Sequence, residues 1–245
     1  MALVSCVCDH FSFVIFFSRR NGIQSLNVLD YIINALTQQF NCMVMLPSIF
    51  LILVADLILS DLNNGYAGLI LTRARSRLSW LLAKICVLFV CAFLFTMICT
   101  VIYLISGLLS GLPLDFTWSS HSLFTEETSP SFVLIMIECL YIFGLTAYGT
   151  FLLMVSLILR NTVFTWGTGA FMNILSYVAW LKMREIEKWF PTSQMMFLSQ
   201  YPNKLIVNTP GFTTHWSLTY HFLLFTFSVL LGLLLFRRIN LTRSI

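Results

Sequence analysis

Asp61-Leu-Asn-Asn-Gly-Tyr-Ala-Gly-Leu-Ile-Leu-Thr-Arg-Ala-Arg-Ser-Arg-Leu-Ser-Trp-Leu-Leu-Ala-Lys84 is the stretch whose reading decides the fold. It carries Arg73, Arg75, Arg77 and Lys84, four of the fourteen Lys and Arg in the chain, and lies between two long apolar runs at 42–60 and 85–109. A basic cluster between two such runs marks their cytoplasmic ends. Within it Tyr66, Leu69, Ile70, Arg73, Arg77, Leu78 and Leu81 recur at helical spacings. Two readings fit: a loop whose charges only orient the neighbouring spans, or a short helix lying at the membrane surface.

The whole chain agrees with a membrane setting. It has 245 residues, 58% hydrophobic and 10% charged, with a mean hydropathy of +0.88. Soluble domains carry about 25% charged residues. The net charge of +4 therefore reads as loop topology and not as a nucleic-acid footprint, and no basic groove interleaved with aromatics accompanies it. Seven cysteines, most of them within apolar runs, are odd in number and make no disulfide framework.

The chain divides into six apolar segments, at about 3–18, 41–60, 84–109, 131–159, 163–181 and 216–236, forming one all-α transmembrane domain over 1–245. The first is short for a span. Residues 20–40 read as an amphipathic segment on the outer surface, with Asn27 a candidate helix cap. Pro47 would loosen the second span. Asp56 in the second span and Glu138 in the fourth are acids within apolar runs, costly in lipid unless they face protein or water; Asp56 reads either as an interface or helix-cap residue or as a point on a substrate or proton path, and Glu138 either as an outer-interface polar residue or as a pore-lining or interhelix one. Residues 189–215, with Pro191, Pro202 and Pro210 among Met195, Met196, Phe197 and Leu198, are too apolar for a free loop and too broken for a span. A re-entrant or interfacial outer segment fits. Six spans put both termini in the cytoplasm, with eight basic residues inside and six outside.

No phosphate-binding loop, zinc-protease helix or nucleophile elbow occurs. His215 and His221 are six apart, on different helix faces, and no metal site is expected. Three classes remain: a transporter subunit, an intramembrane enzyme using Asp56, Glu138 or a histidine, and a non-transporting immunity or anchor protein.

Asp61, Gly65, the apolar run Leu69-Ile70-Leu71-Thr72, the pair Ser76-Arg77 and Lys84 follow the order and spacing found at the second and third spans of type-2 ABC exporter permeases, which the chain resembles. The resemblance implies a transporter subunit, not an enzyme. It would pair with a second permease chain in the lipid bilayer and dock a separate ATP-binding cassette subunit, which alone would hold ATP and Mg. It also implies a coupling helix at about 66–80, with Tyr66, Leu69 and Ile70 buried in the partner and Arg73, Arg75 and Arg77 at an acidic rim or lipid phosphate. The substrate path would carry Asp56 and Glu138. The Phe-rich chain suits an apolar or amphipathic cargo such as a peptide or lipid.

Overall fold

The computed structural model describes residues 27–54, 77–115, 117–118, 129–159, 161–201 and 211–238. Among them all regular structure is helical. Helix α1 spans Val28–Thr37; a wide π-helical turn at Asn41–Met45 leads into α2, Leu46–Val54. The long helices follow: α3 at Arg77–Leu109, α4 at Pro130–Leu159 and α5 at Thr162–Lys182. The short α6 (Arg184–Glu187), a 3-10 turn (Ser193–Met195) and the short α7 (Phe197–Gln200) precede α8, Thr214–Arg238.

The polarity of the surface is inverted relative to a water-soluble bundle. On α5 the buried residues are Thr165, Gly169, Asn173, Ser176 and Ala179, spaced four, four, three and three apart. The exposed ones include Phe164, Phe171, Ile174 and Val178. Helices α3 and α8 likewise expose Val90, Leu94, Val101, Phe222, Phe227 and Leu230. Apolar faces turned outward on this scale need a hydrocarbon solvent, and small or polar faces turned inward let helices approach closely. Among the described residues three helices are long and apolar enough to cross a membrane, Ser79–Leu109, Pro130–Leu159 and Thr214–Leu235, and the bent α1–α2 arm makes up to four. At 1.5 Å per residue the first of these is about 46 Å long and the third about 33 Å. The inward polar face of α5, which is 21 residues long, keeps it out of that set.

Helix α4 is the hub. Of its most apolar stretch 72% is buried, against 22% in α3 and 17% in α8, and it packs on α1, α2, α3, α5 and α8. Glycines set two of the contacts. Gly144 faces Met195 and His221, and Gly149 faces Leu88 and Phe50. One core, around Ile33, Phe50, Leu145, Tyr148 and Met195, joins α1, α2, α4 and the 3-10 turn. A second, around Trp80, Leu81, Leu88 and Met154, seals α3 against α4 with help from Phe225 and Val229 of α8.

Two expectations change. Helix α1 is amphipathic, but protein covers its apolar side: Val28, Tyr31, Ile32, Ile33 and Leu36 are buried against α3 and α4. Asn27 does stand at its N-cap position, but its side chain makes no cap bond and its Nδ2 donates instead to the Thr117 carbonyl at 3.0 Å. The arm bends by 61° between α1 and residues 41–54. Asn41 clasps the bend, its Nδ2 donating to Ala35 O (3.2 Å) and Gln38 Oε1 (3.0 Å), which satisfies a carbonyl the bend leaves without its helical partner. The π turn sits just before Pro47, whose missing N–H already breaks the regular ladder. Asn161 caps α5 by accepting from Val163 N at 2.9 Å and Phe164 N at 3.3 Å, which accounts for the tight turn after α4.

Candidate functional site

A crevice opens inside the bent arm, where it meets α3 and α4. It is lined by Leu36 and Leu46 of the arm, Phe95, Thr96, Cys99 and Thr100 of α3, and Glu138 and Tyr141 of α4. The spacing within each helix explains the grouping, since positions three and four apart share a face. Tyr141 is spent on structure, its hydroxyl donating to Leu36 O at 2.8 Å. Thr96 Oγ1 donates to Ala92 O at 2.8 Å, which leaves its acceptor lone pairs free. Thr100 Oγ1 is buried with no partner. Glu138 is half-buried, and makes no hydrogen bond or ion pair among the described residues. It is the ninth residue of α4, about 12 Å from the start of a helix about 45 Å long, and so nearer the 110–130 end.

Glu138 is thus the one candidate from sequence that the described residues place in a site. Asp56, Tyr66, Leu69, Ile70, Arg73 and Arg75 lie outside the described residues, and Arg77 is described only as the first residue of α3. Thr96, Cys99, Thr100 and Tyr141 gave no sequence signal as a site, because only the crossing of α3 and α4 brings them to Glu138.

A second polar concentration closes the bundle beyond α5. Residues 191–200 are buried, from Thr192, Ser193 and Gln194 through Met195, Met196, Phe197 and Leu198 to Gln200. Broken backbone at such depth needs internal partners. Gln194 supplies several: its Nε2 donates to Lys188 O, its Oε1 accepts from Ser217 Oγ at 2.7 Å, and its carbonyl accepts from Gln200 Nε2 at 2.7 Å. Trp216 Nε1 donates to Lys188 O at 3.3 Å and Tyr220 OH to Trp189 O at 2.9 Å, tying α8 to the same segment. His221, one turn further along α8, is 2% exposed with both ring nitrogens unpartnered. His215 is exposed, so the two histidines do fall on different faces.

Glu187 is the buried acid of this cap, while Glu185 faces outward. Glu187 Oε1 accepts from Ser199 Oγ at 2.8 Å. Burial pushes its carboxyl above the ordinary 4.5; the Ser199 hydrogen bond and the Arg184 charge pull the other way and are outweighed. Glu187 lies beyond α5 and outside the spanning helices. The folded state therefore holds its proton more tightly than the unfolded chain. The stability it contributes is full below pH 4.5 and falls as pH rises through the folded value. Thermal unfolding in nonionic detergent is expected to show this decline, and Glu187→Gln, which keeps the acceptor for Ser199, to flatten it. An unchanged pH slope in the variant would contradict the assignment.

Among the described residues no three His, Cys, Asp or Glu side chains gather as a metal site would require. Inverted surface polarity, a central buried helix and an acid-bearing crevice define a polytopic helical membrane protein. The chain belongs to the family described as "Protein of unknown function (DUF2705)", which matches it over residues 2–242. No curated protein and no solved structure matches it.

Proposed function

We propose that the chain is the membrane-spanning subunit of an ATP-driven exporter. In this reading it has six spans and cytoplasmic termini, α5 being the fifth span. It pairs with a second permease chain and docks a separate ATP-binding subunit. The observation that carries the reading is the order Asp61, Gly65, Ser76-Arg77, Lys84, set between the apolar helices α2 and α3. The buried, broken segment 191–200 ahead of the last span supports it, as the place of a re-entrant outer element.

ATP-driven closure of the partner would push on residues 66–80 and so tilt α2 and α3. Because α3 carries Thr96, Cys99 and Thr100 while α2 begins with Leu46, that tilt would reshape the Glu138 crevice. Work done on the cytoplasmic side is thus linked to a polar point within the membrane through two rigid helices.

Co-purification with a chain bearing a phosphate-binding loop is the direct test. In the resulting complex, replacing Tyr66, Leu69 and Arg73 together is expected to abolish cargo-stimulated ATPase activity, while the basal activity of the isolated ATP-binding chain stays the same. Undiminished stimulation would remove the coupling-helix assignment. Activity of this chain with no nucleotide-binding partner would replace the exporter reading with an enzyme or a secondary carrier.

A further inference from the structure

We propose that the turn at 182–189 binds the headgroup of an anionic phospholipid, with Lys182 and Lys188 on the phosphate and Met183, Ile186 and Trp189 against the upper part of the acyl chains. The site stands whether or not the protein is an exporter. The three apolar side chains are three residues apart and are 56%, 46% and 57% exposed. Lys182, Arg184 and Glu185 are exposed among them, and Lys188 is partly so. Water does not suit the first set, and hydrocarbon does not suit the second. The layer where headgroups meet chain ends suits both. There a lysine lays its stem along apolar surface and keeps its charge on the polar side, and tryptophan is at home.

The chain itself holds this platform in place. Trp216 Nε1 and Gln194 Nε2 both donate to Lys188 O, and Tyr220 OH donates to Trp189 O at 2.9 Å. The Trp189 and Trp216 rings meet edge to face at 5.6 Å. The turn is thus tied to the start of α8, a helix long and apolar enough to cross a membrane. Val178 and Leu181 near the end of α5, and Leu218 and Phe222 near the start of α8, are exposed as well, so the platform continues the outward apolar surface of the bundle. Charge picks the headgroup. The turn carries Lys182, Arg184 and Lys188 against two acids, of which Glu187 is buried on Ser199 and only Glu185 faces outward. Arg184 lies over the Trp180 ring, 5.8 Å from its centroid, so the lysines make the phosphate contact. Each ammonium brings three donors and no acceptor to a phosphate. A zwitterionic lipid offers the same phosphate but carries its own cation, which meets the lysines as a like charge.

The test uses the full-length chain in phosphatidylcholine nanodiscs doped with a photoreactive lipid, either phosphatidylglycerol or phosphatidylcholine, carrying a diazirine near the headgroup end of one acyl chain. After illumination the labelled peptides are mapped by mass spectrometry. The phosphatidylglycerol probe is expected to label 182–189 and the start of α8 several-fold more than the phosphatidylcholine probe does, and unlabelled phosphatidylglycerol to compete it away. Lys182→Gln and Lys188→Gln are each expected to weaken that competition about fivefold. High salt should weaken it in the unaltered chain, which tests the charge without any substitution. The outward face of α3, at Val90 and Leu94, should label equally with both probes in every variant and so reports an intact bundle. Equal labelling of the turn by the two probes would overturn the proposal, as would an undiminished preference when both lysines are replaced. Absence of lipid label at the turn while α3 is labelled would also overturn it, and would give the platform to a protein partner instead.

Discussion

Gly169→Val is expected to lower stability by about 3 kcal/mol and to lift α5 away from α2, the upper part of the range for overpacking a filled core. The fully buried residues of α5 are Thr165, Gly169, Asn173, Ser176 and Ala179, so at Gly169 its approach to α2 is set by backbone. A Cβ at Gly169 would run into Leu51 Cδ1, and would stand 3.2 Å from Leu51 Cγ and 3.3 Å from Leu152 Cδ1. Leu51 is 2% exposed and Leu152 is buried, so neither can swing aside without displacing its own neighbours. Valine adds two methyls beyond that Cβ. Gly167, two residues earlier, has nothing within 4 Å of the same construction and is the matched control. Unfolding in detergent followed by tryptophan fluorescence is the measurement. Alkylation of buried Cys42, near the packed end of the arm, should quicken in Gly169→Val alone. Equal behaviour of the two valine variants would show that α5 does not dock through Gly169.

Asn173→Leu is expected to cost about 2 kcal/mol, through lost hydrogen bonds and not lost volume. Asn173 is fully buried and joins three helices. Its Oδ1 accepts from Tyr148 OH of α4 at 2.8 Å, and its Nδ2 donates to Ser48 Oγ of α2 at 3.0 Å. The Tyr148 hydroxyl also lies 2.8 Å from Gly169 O, one turn back on α5. Leucine nearly keeps the size of asparagine and removes both links. Tyr148→Phe removes one of the same bonds from the other side. The double variant is therefore expected to lose clearly less than the sum of the two single losses. Additive losses would mean that the three helices are not tied at this point.

The helix positions are largely written in the apolar runs. Runs at 131–159 and 163–181 became Pro130–Leu159 and Thr162–Lys182, because long, mainly apolar runs leave few alternatives to a helix. The start of α3 was less legible. It begins at Arg77, not near 84, since a helix need not end where lipid does. Packing was harder to read. Nothing local says that α1 sinks against α3 and α4, or that Thr192, Ser193 and Gln194 are buried, because the partners that satisfy them come from distant segments. Asn173 and His221 were obscured for a related reason: on α5 and α8 the polar residues face inward, so ordinary amphipathic patterning points to the wrong side. Glu138 was visible as an acid in an apolar run, while its companions Thr96 and Thr100 looked like any small residues suited to helix contact.

The unequal lengths of the crossing helices have an architectural consequence. A hydrocarbon film about 30 Å thick, crossed at the common tilt of about 20°, occupies roughly 32 Å of helix. That nearly consumes the last span, of about 33 Å, but leaves some 14 Å of the Ser79–Leu109 helix beyond the film. Lys84, whose ammonium lies 5.8 Å above the Trp80 ring, marks a polar limit at one end of that helix. That end is not a free extension, since Trp80, Leu81 and Ile85 are buried against Leu153, Met154 and Leu157 of α4. Any displacement of that end would therefore have to carry α4 with it.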